Sequence, residues 1–194
     1  MHAPVDIGTE SGTMLQMVTL ADGTAAALRP ARASDVAPLE RMYFRLSARS
    51  IYFFFFVGAP HVAHWASRFA AVGAPPTPTG MAIVAALGDE TIGVARFDVD
   101  PSGASAEVGI VVEDAWQGRG LGRYMLRRLA GEALFRHIAI FTARTLGENQ
   151  RALRLFKGTF AGTQVKFAQG EYAIVAPLRP PPGDSPDHFI TAPM

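Results

Sequence analysis

The chain has 194 residues, a length that allows one domain with a sizeable core and is short for two. Hydrophobic residues make up 49% of the sequence and charged residues 18%, which is typical of a globular protein and not of a disordered one. The formal net charge of +1 gives no reason to expect a nucleic acid or an anionic membrane as a partner. The absence of cysteine excludes disulfides, thiolate metal sites and a cysteine nucleophile.

Neither the N-terminus nor the longest apolar run predicts export or membrane insertion. Residues 1–6 have neither the basic region nor the apolar core of a signal peptide. The run over 51–57 is far shorter than the roughly 20 residues that cross a bilayer. We therefore expect a cytoplasmic protein.

Three sections are predicted along the chain. Residues 1–22 are mixed and glycine-containing, and we expect a loosely ordered lead-in. Residues 23–178 contain all the periodic segments and are predicted to form one domain. Residues 179–194 are proline-rich and are predicted to form an extended tail without a core of its own.

The first half of the domain is predicted to be mainly helical. A strand over 24–31 is followed by a helix from Ser34, a suitable N-cap, to about Leu46. Short helices are predicted over 47–57 and 61–71. Residues 73–80 contain three prolines and are predicted to form a loop.

An antiparallel pattern comes next. Apolar strands over 81–87 and 91–98 are joined by a hairpin turn at 88–90, and a third strand covers Ala106–Val112. The later elements are predicted as a long helix over 120–136, a strand over 138–143, a helix over 148–157 and a hairpin of 161–167 with 171–176.

A glycine cluster lies between the third strand of that pattern and the long helix. It reads Gln117, Gly118, Arg119, Gly120, Leu121 and Gly122. A helix start presents unpaired N–H groups and the positive end of the helix dipole, and glycines let an anion approach the backbone. We interpret the cluster as a pyrophosphate site, and the alternative is a tight strand-to-helix turn without a ligand. The dinucleotide fingerprint has a different glycine spacing, and the Gly-Lys-Ser/Thr of a nucleotide-triphosphatase loop is absent.

These residues resemble the GNAT superfamily of N-acetyltransferases. Its motif Gln/Arg-x-x-Gly-x-Gly/Ala is matched by Gln117, Gly120 and Gly122. Residues 148–156 resemble its Glu-Asn-x-x-Ala segment, and 28–35 resemble its opening strand and helix. The resemblance covers about Thr24 to Ala176, and within the superfamily it is nearest in appearance to bacterial protein-lysine acetyltransferases.

The resemblance implies an α/β fold with a mixed, mainly antiparallel central sheet and helices on both faces. It implies that acetyl-CoA is the co-substrate, without a metal, and that a primary amine, of a small molecule or a protein lysine, attacks the thioester directly. The implied contacts of acetyl-CoA are the strand at Ile110, Val111 and Val112, the glycine cluster and Asn149. Asn149 also suits a helix N-cap, and the two roles are compatible.

Glu107 is the candidate general base, since its position matches the catalytic glutamate of the protein-acetylating relatives. The alternative is a solvent-facing glutamate on a strand. Phe156 departs from the family pattern, because many relatives have a tyrosine there that protonates the leaving thiolate. Tyr124 and Tyr172 are the candidate substitutes. This departure keeps open a catalytically degenerate protein that binds acyl-CoA and regulates or scaffolds. A separate and remoter alternative is a nucleotide- or phosphate-binding module.

An aromatic block over Tyr52–Phe56 lies in the region expected to border the acceptor. We expect most of its rings in the core, and some in an acceptor pocket or in the contact of a homodimer. His61 and His64 lie one helical turn apart but lack a partner motif for a metal, so we interpret them as structural.

Overall fold

An eight-stranded sheet forms the centre of the structure, a computed structural model that describes residues 15–56, 64–67 and 79–178. Its strands are β1 (Gln16–Thr19), β2 (Ala25–Pro30), β3 (Gly80–Leu87), β4 (Glu90–Val99), β5 (Ser105–Val112), β6 (Ile140–Leu146), β7 (Gln164–Ala168) and β8 (Glu171–Pro177). They lie in the order β1-β2-β3-β4-β5-β6-β8-β7. Every neighbouring pair is antiparallel except β5 and β6, which are parallel. The predicted mixed, mainly antiparallel sheet is confirmed.

Helices cover both faces of this sheet, as predicted. They are α1 (Val36–Arg45), α2 (Ala48–Phe55), α3 (Leu121–Phe135) and α4 (Gln150–Thr159), with short 3-10 turns at Ala33–Asp35 and Asp114–Trp116. Residues 64–67 are also helical. One buried cluster contains side chains of α1, with the partly buried phenylalanines of α2 packed against it, and the other contains side chains of α3 and α4.

The burial pattern follows from the sequence. β3 is apolar along its whole length and buried from Gly80 to Ala86, because it lies inside the sheet with helices on both sides. In α3 the buried residues recur every three to four positions, at Leu121, Met125, Leu129 and Ala133, so one stripe of the helix faces the sheet.

Some element boundaries differ from the sequence predictions. The lead-in predicted for residues 1–22 contains β1, which pairs with β2 and buries only Val18. A strand with one buried residue in four lacks the alternation of apolar and polar residues by which a strand is recognised in a sequence. β6 begins at Ile140 and continues past the predicted end, because Arg144 and Thr145 remain paired with β8. The first strand of the final hairpin is shorter than predicted and begins at Gln164.

Several predicted segments lie wholly or partly outside the described residues. The helix over 61–71 is described only at 64–67, and the loop over 73–80 only at its last two residues. His61 and the tail over 179–194 are outside. Among the helices that the structure describes, none combines the length and the apolar character that a membrane span requires.

A buried ion pair joins the first strands to the first helix. Asp35 is 2% exposed, and its carboxylate accepts two hydrogen bonds from the Arg29 guanidinium, at 2.7 and 2.6 Å. It accepts a third from the Arg32 backbone amide at 2.7 Å. Burial acts to raise the pKa of Asp35, but the hydrogen bonds and the charges of Arg29 and Arg32 outweigh it and hold that pKa below its usual value. The pair therefore fixes where α1 starts relative to the sheet.

Asp35→Asn should lower the free energy of unfolding by roughly 3 kcal/mol, because it leaves the Arg29 charge part-buried without its counter-ion. Since the folded-state pKa of Asp35 is the lower one, its contribution is present above the unfolded-state pKa of about 3.9 and is lost as the pH falls through the folded-state pKa. Urea unfolding at a series of pH values measures both effects. Arg41→Gln is the control, since Arg41 and Glu90 are both about half exposed and such exposed pairs contribute little to stability. Equal losses in the two variants would contradict the anchoring role.

Candidate active site

The sheet opens between its two parallel strands. β5 and β6 pair only from Ser105 to Glu107 with Ile140 to Thr142. Past that point β5 remains paired with β4 as far as Val112, while β6 remains paired with β8 as far as Leu146. The two strands therefore diverge, and their facing backbone groups lose their partners in the sheet.

Alternation along β5 shows which backbone groups face the opening. The Glu113 amide donates to Ile92 on the β4 side at 2.9 Å, so the N–H and C=O groups of Val112 and Ile110 point the other way, towards the opening. The Val112 carbonyl already accepts a hydrogen bond from the Gln117 side chain at 2.8 Å. The Ile110 groups and the Val112 amide are left facing the opening.

A cleft of about 1110 Å³ extends from this opening to the start of α3. Nine of the ten residues predicted to bind the co-substrate line it: Ile110, Val111, Val112, Gln117, Gly118, Arg119, Gly120, Gly122 and Asn149. The tenth, Leu121, has its side chain buried in the core at 1% exposure, so only its backbone is near the cleft.

The glycine cluster presents a row of backbone donors. In the part of the chain that the structure describes, none of the five backbone amides from Gly118 to Gly122 donates a hydrogen bond. Gly120 is the N-cap of α3 and provides no capping side chain, so the positive end of the helix dipole is uncovered. An anion is the ligand that this arrangement favours.

The three glycines of the cluster are required for different reasons. Gly118 and Gly120 have φ angles of 78° and 90°, which residues with a side chain rarely adopt. Gly122 has ordinary helical backbone, but a Cβ there would lie 3.1 Å from Leu155 Cδ2. It therefore allows α3 and α4 to approach each other closely.

The charge around the cleft is mainly positive. Six arginines and two acidic residues line it: Arg49, Arg119, Arg123, Arg127, Arg151, Arg154, Asp114 and Glu148. Arg119 is engaged elsewhere, since it forms an ion pair with Asp22 and lies 4.8 Å from the Trp116 ring centroid. The other arginines provide most of the field that attracts a polyanion.

Gln117 connects three elements around the cleft. Its side-chain amide donates to Val112 O and to Ser50 Oγ, at 2.8 and 3.2 Å, and its oxygen accepts from Arg151. Beside it, Asp114 accepts hydrogen bonds from Ser47 and Ser50 at the start of α2. Burial acts to raise the pKa of Asp114, but these hydrogen bonds outweigh it and hold that pKa below its usual value. The two side chains position α2 and α4 against the end of β5.

A smaller cavity of about 410 Å³ adjoins the cleft, and we call it the acceptor chamber. Five residues line both: Phe53, Phe54, Ile110, Asn149 and Ala152. Asn149 is the N-cap of α4, which confirms the N-cap role predicted for it. Its side-chain oxygen accepts a hydrogen bond from the Ala152 amide at 3.1 Å. The junction of the two cavities therefore lies where β5 and β6 diverge and α4 begins.

Aromatic and charged side chains face each other in the chamber. Residues Phe53 to Phe56 of the predicted aromatic block line it together with Trp65. Its charged residues are Arg96, Asp98, Glu107 and Arg144. The sequence analysis missed Arg96, Asp98 and Arg144, although Arg96 and Asp98 alternate along β4 and so share one face.

Glu107 lies on the chamber wall with a free carboxylate. It is exposed, and across the described residues its side chain accepts no hydrogen bond and forms no ion pair. Asp98 is its partner across β4 and β5, and Asp98 is paired with Arg96 at 2.7 Å. The Glu107 oxygens are therefore available to accept a proton from a group in the chamber.

The predicted substitutes for the missing tyrosine lie elsewhere. Phe156 is buried and lines the chamber, which places its ring near the junction. Tyr124 lines the cleft on α3, one turn from Gly120, and so lies at the anion-binding end. Tyr172 packs against Phe167 at 4.8 Å and lines neither cavity. Neither tyrosine lines the chamber that contains Phe156.

Comparison with known proteins agrees with this geometry. A model of the acetyltransferase (GNAT) family matches residues 45–160, more than half of the chain. The crystal structure of the GNAT domain of S. lividans PAT is 29% identical with a TM-score of 0.74, over 84% of this chain and 97% of that one. The chain therefore belongs to the GNAT family and is an acetyl-CoA-dependent N-acetyltransferase, as the sequence predicted.

Two more distant structures share the fold. Spermidine N-acetyltransferase from Vibrio cholerae, in complex with CoA and spermine, is 14% identical with a TM-score of 0.61, over 79% of this chain and 95% of that one. A cAMP-binding acyltransferase from Mycobacterium smegmatis is 19% identical with a TM-score of 0.61. The match covers 91% of this chain but 52% of the mycobacterial one, so this chain spans about half of that protein's length.

Proposed function

We propose that this chain transfers the acetyl group of acetyl-CoA to the ε-amine of a protein lysine, with Glu107 as the general base. The observation that carries the proposal is the junction of the two cavities. Considering the described residues alone, a cleft with five backbone amides that donate no hydrogen bond at one end meets, at its other end, a chamber that contains a carboxylate without a partner.

The cleft suits the shape and charge of the co-substrate. Its pyrophosphate would accept hydrogen bonds from the amides of Gly118 to Gly122, beside the uncovered start of α3. The amide-rich pantetheine arm would pair with the Ile110 groups and the Val112 amide, as an added strand does at an open sheet edge. The Asn149 side chain, which lines both cavities, would contact the arm near the thioester.

The chamber suits a cationic amine on an apolar stem. Aromatic rings attract ammonium groups through their faces. Asp98 is paired with Arg96 and Arg144 with Glu171, so Glu107 is the chamber carboxylate that has no ion-pair partner among the described residues. A lysine side chain combines those two properties. The 29% identity to the GNAT domain of S. lividans PAT supports a protein acceptor, whereas the spermidine enzyme from Vibrio cholerae makes a polyamine the competing acceptor.

A base is needed because the acceptor arrives protonated. Lysine has an unperturbed pKa of about 10.4, so freeing its amine at pH 7 costs about 4–5 kcal/mol. Glu107 can take that proton directly or through one water. The nitrogen then attacks the acetyl carbon, and the thiolate leaves.

Thiol release from acetyl-CoA with a panel of lysine peptides, protein N-terminal peptides and polyamines tests the proposed acceptor. We expect turnover with lysine peptides to exceed that with polyamines, because the chamber has aromatic walls and only two carboxylates to receive several ammonium groups. Preferred turnover of a polyamine would contradict the lysine assignment. Binding of CoA without turnover of any amine would favour the degenerate, regulatory alternative that Phe156 suggests.

Glu107→Gln should lower kcat at pH 7 by about 100-fold or more, which is the range of general base catalysis, and change CoA affinity little. Asp98→Asn is the matched control, because Asp98 is the cross-strand neighbour of Glu107 on the same wall but is already paired with Arg96. Steady-state kinetics and calorimetric CoA binding separate the two effects. Unchanged kcat in Glu107→Gln would exclude this residue as the base.

Gly120→Ala should weaken CoA binding about tenfold or more. Its φ of 90° is disfavoured for alanine, so the backbone must rotate and turn its amides away from the pyrophosphate, where each such hydrogen bond contributes about 1.5–3 kcal/mol. Gly131→Ala is the control, because Gly131 lies inside α3 with nothing within 4 Å of a new Cβ. Calorimetry measures the affinity, and circular dichroism verifies that both variants fold. Equal affinity in the two variants would contradict the cradle.

A further inference from the structure

Thr145 is a buried threonine in the wall of the acceptor chamber. The residue is 4% exposed and lines the chamber from β6. Among the described residues its Oγ1 has no hydrogen-bond partner. By strand alternation its side chain is on the same face as the buried Phe141 and Ala143, which is the face that α4 and Phe156 cover.

A buried hydroxyl without a partner is costly to keep. Leaving such a group unsatisfied costs about 1–3 kcal/mol, and most buried polar groups in folded proteins are paired. Valine has nearly the same shape and would carry no such cost at this position. The packing of β6 against α4 therefore does not explain the hydroxyl, whereas a ligand atom that enters the chamber would.

The position of Thr145 indicates which atom of a bound ligand its hydroxyl group would contact. Thr145 lines the chamber together with Phe156, Asn149 and Ala152, and the last two also line the cleft. In the proposed function the thioester lies at this junction, with the acceptor amine on the Glu107 side of the sheet. The sulfur of the thioester would then lie on the opposite side of the sheet, which α4 covers. Phe156 has no hydroxyl to offer there, and neither Tyr124 nor Tyr172 lines the chamber.

We propose that the Thr145 hydroxyl donates a hydrogen bond to the sulfur of the departing CoA thiolate. The inference rests on the proposed function. The acceptor nitrogen bonds to the acetyl carbon, the carbon–sulfur bond breaks, and its electron pair stays on the sulfur. Glu107, which has released the ammonium proton to water, takes the second proton that the nitrogen loses on attack, and the thiolate is stabilised by Thr145 until water protonates it. Thr145 keeps its own proton throughout.

The pKa of the thiol in bound CoA tests this contact without any turnover. A hydrogen bond to the thiolate favours the charged form, so Thr145→Val should raise the bound thiol pKa by about one unit, and Thr145→Ser should restore the lower value. Thiolate absorbance in the ultraviolet, followed through a pH titration of the CoA complex, measures it. Thr142→Val is the matched control, since Thr142 is on the opposite face of β6 and lines neither cavity.

Kinetics and stability complete the test. Thr145→Val should lower kcat about tenfold with little change in the KM for acetyl-CoA, and should leave the unfolding midpoint of the free protein equal or higher, because an unsatisfied hydroxyl is removed. An unchanged thiol pKa, or a lower midpoint that accounts for the lost activity, would overturn the role of Thr145. Absence of acetyl transfer by the wild-type chain would instead refute the proposed function, and the thiol titration would still report on the contact.

Discussion

The site depends on the early end of hydrogen bonding between β5 and β6. Had the two strands stayed paired to their ends, their backbone groups would satisfy one another and the sheet would be closed at its centre. Because pairing stops after Glu107, each strand keeps its outer neighbour and the inner edges become available. One geometric feature thus produces both the cleft and the unpaired backbone groups that a ligand can satisfy.

The opening also connects the two faces of the sheet. Glu107 and the phenylalanines of α2 approach the acceptor chamber from one face, and Phe156 and Thr145 from the other. A closed sheet would keep these side chains in separate layers. In acyl transfer the nucleophile adds to one face of the planar thioester and the sulfur leaves from a different position on the same carbon, and a gap between two strands gives each of them its own wall.

Long-range contacts hold the edges of the opening in place. Gln117 lies within the glycine cluster, yet its side chain reaches α2, β5 and α4. Asp114 fixes the start of α2, with its pKa kept low by the hydrogen bonds that it accepts. The glycine cluster therefore has two functions, since its backbone faces the cleft while its first side chain joins the surrounding elements.

The sequence by itself determined the features that depend on local physics. Strand and helix periodicity and the N-cap at Asn149 are decided by neighbouring residues, whereas the arrangement of the sheet and most residues of the cleft were predicted from the resemblance to the GNAT superfamily. Tertiary structure decided that Arg119 pairs with Asp22, that Arg144 joins the chamber, and that the buried Thr145 hydroxyl has no partner within the described ranges. These facts depend on distances between elements far apart in the chain, which no local pattern encodes, because a side chain's partner is set by packing.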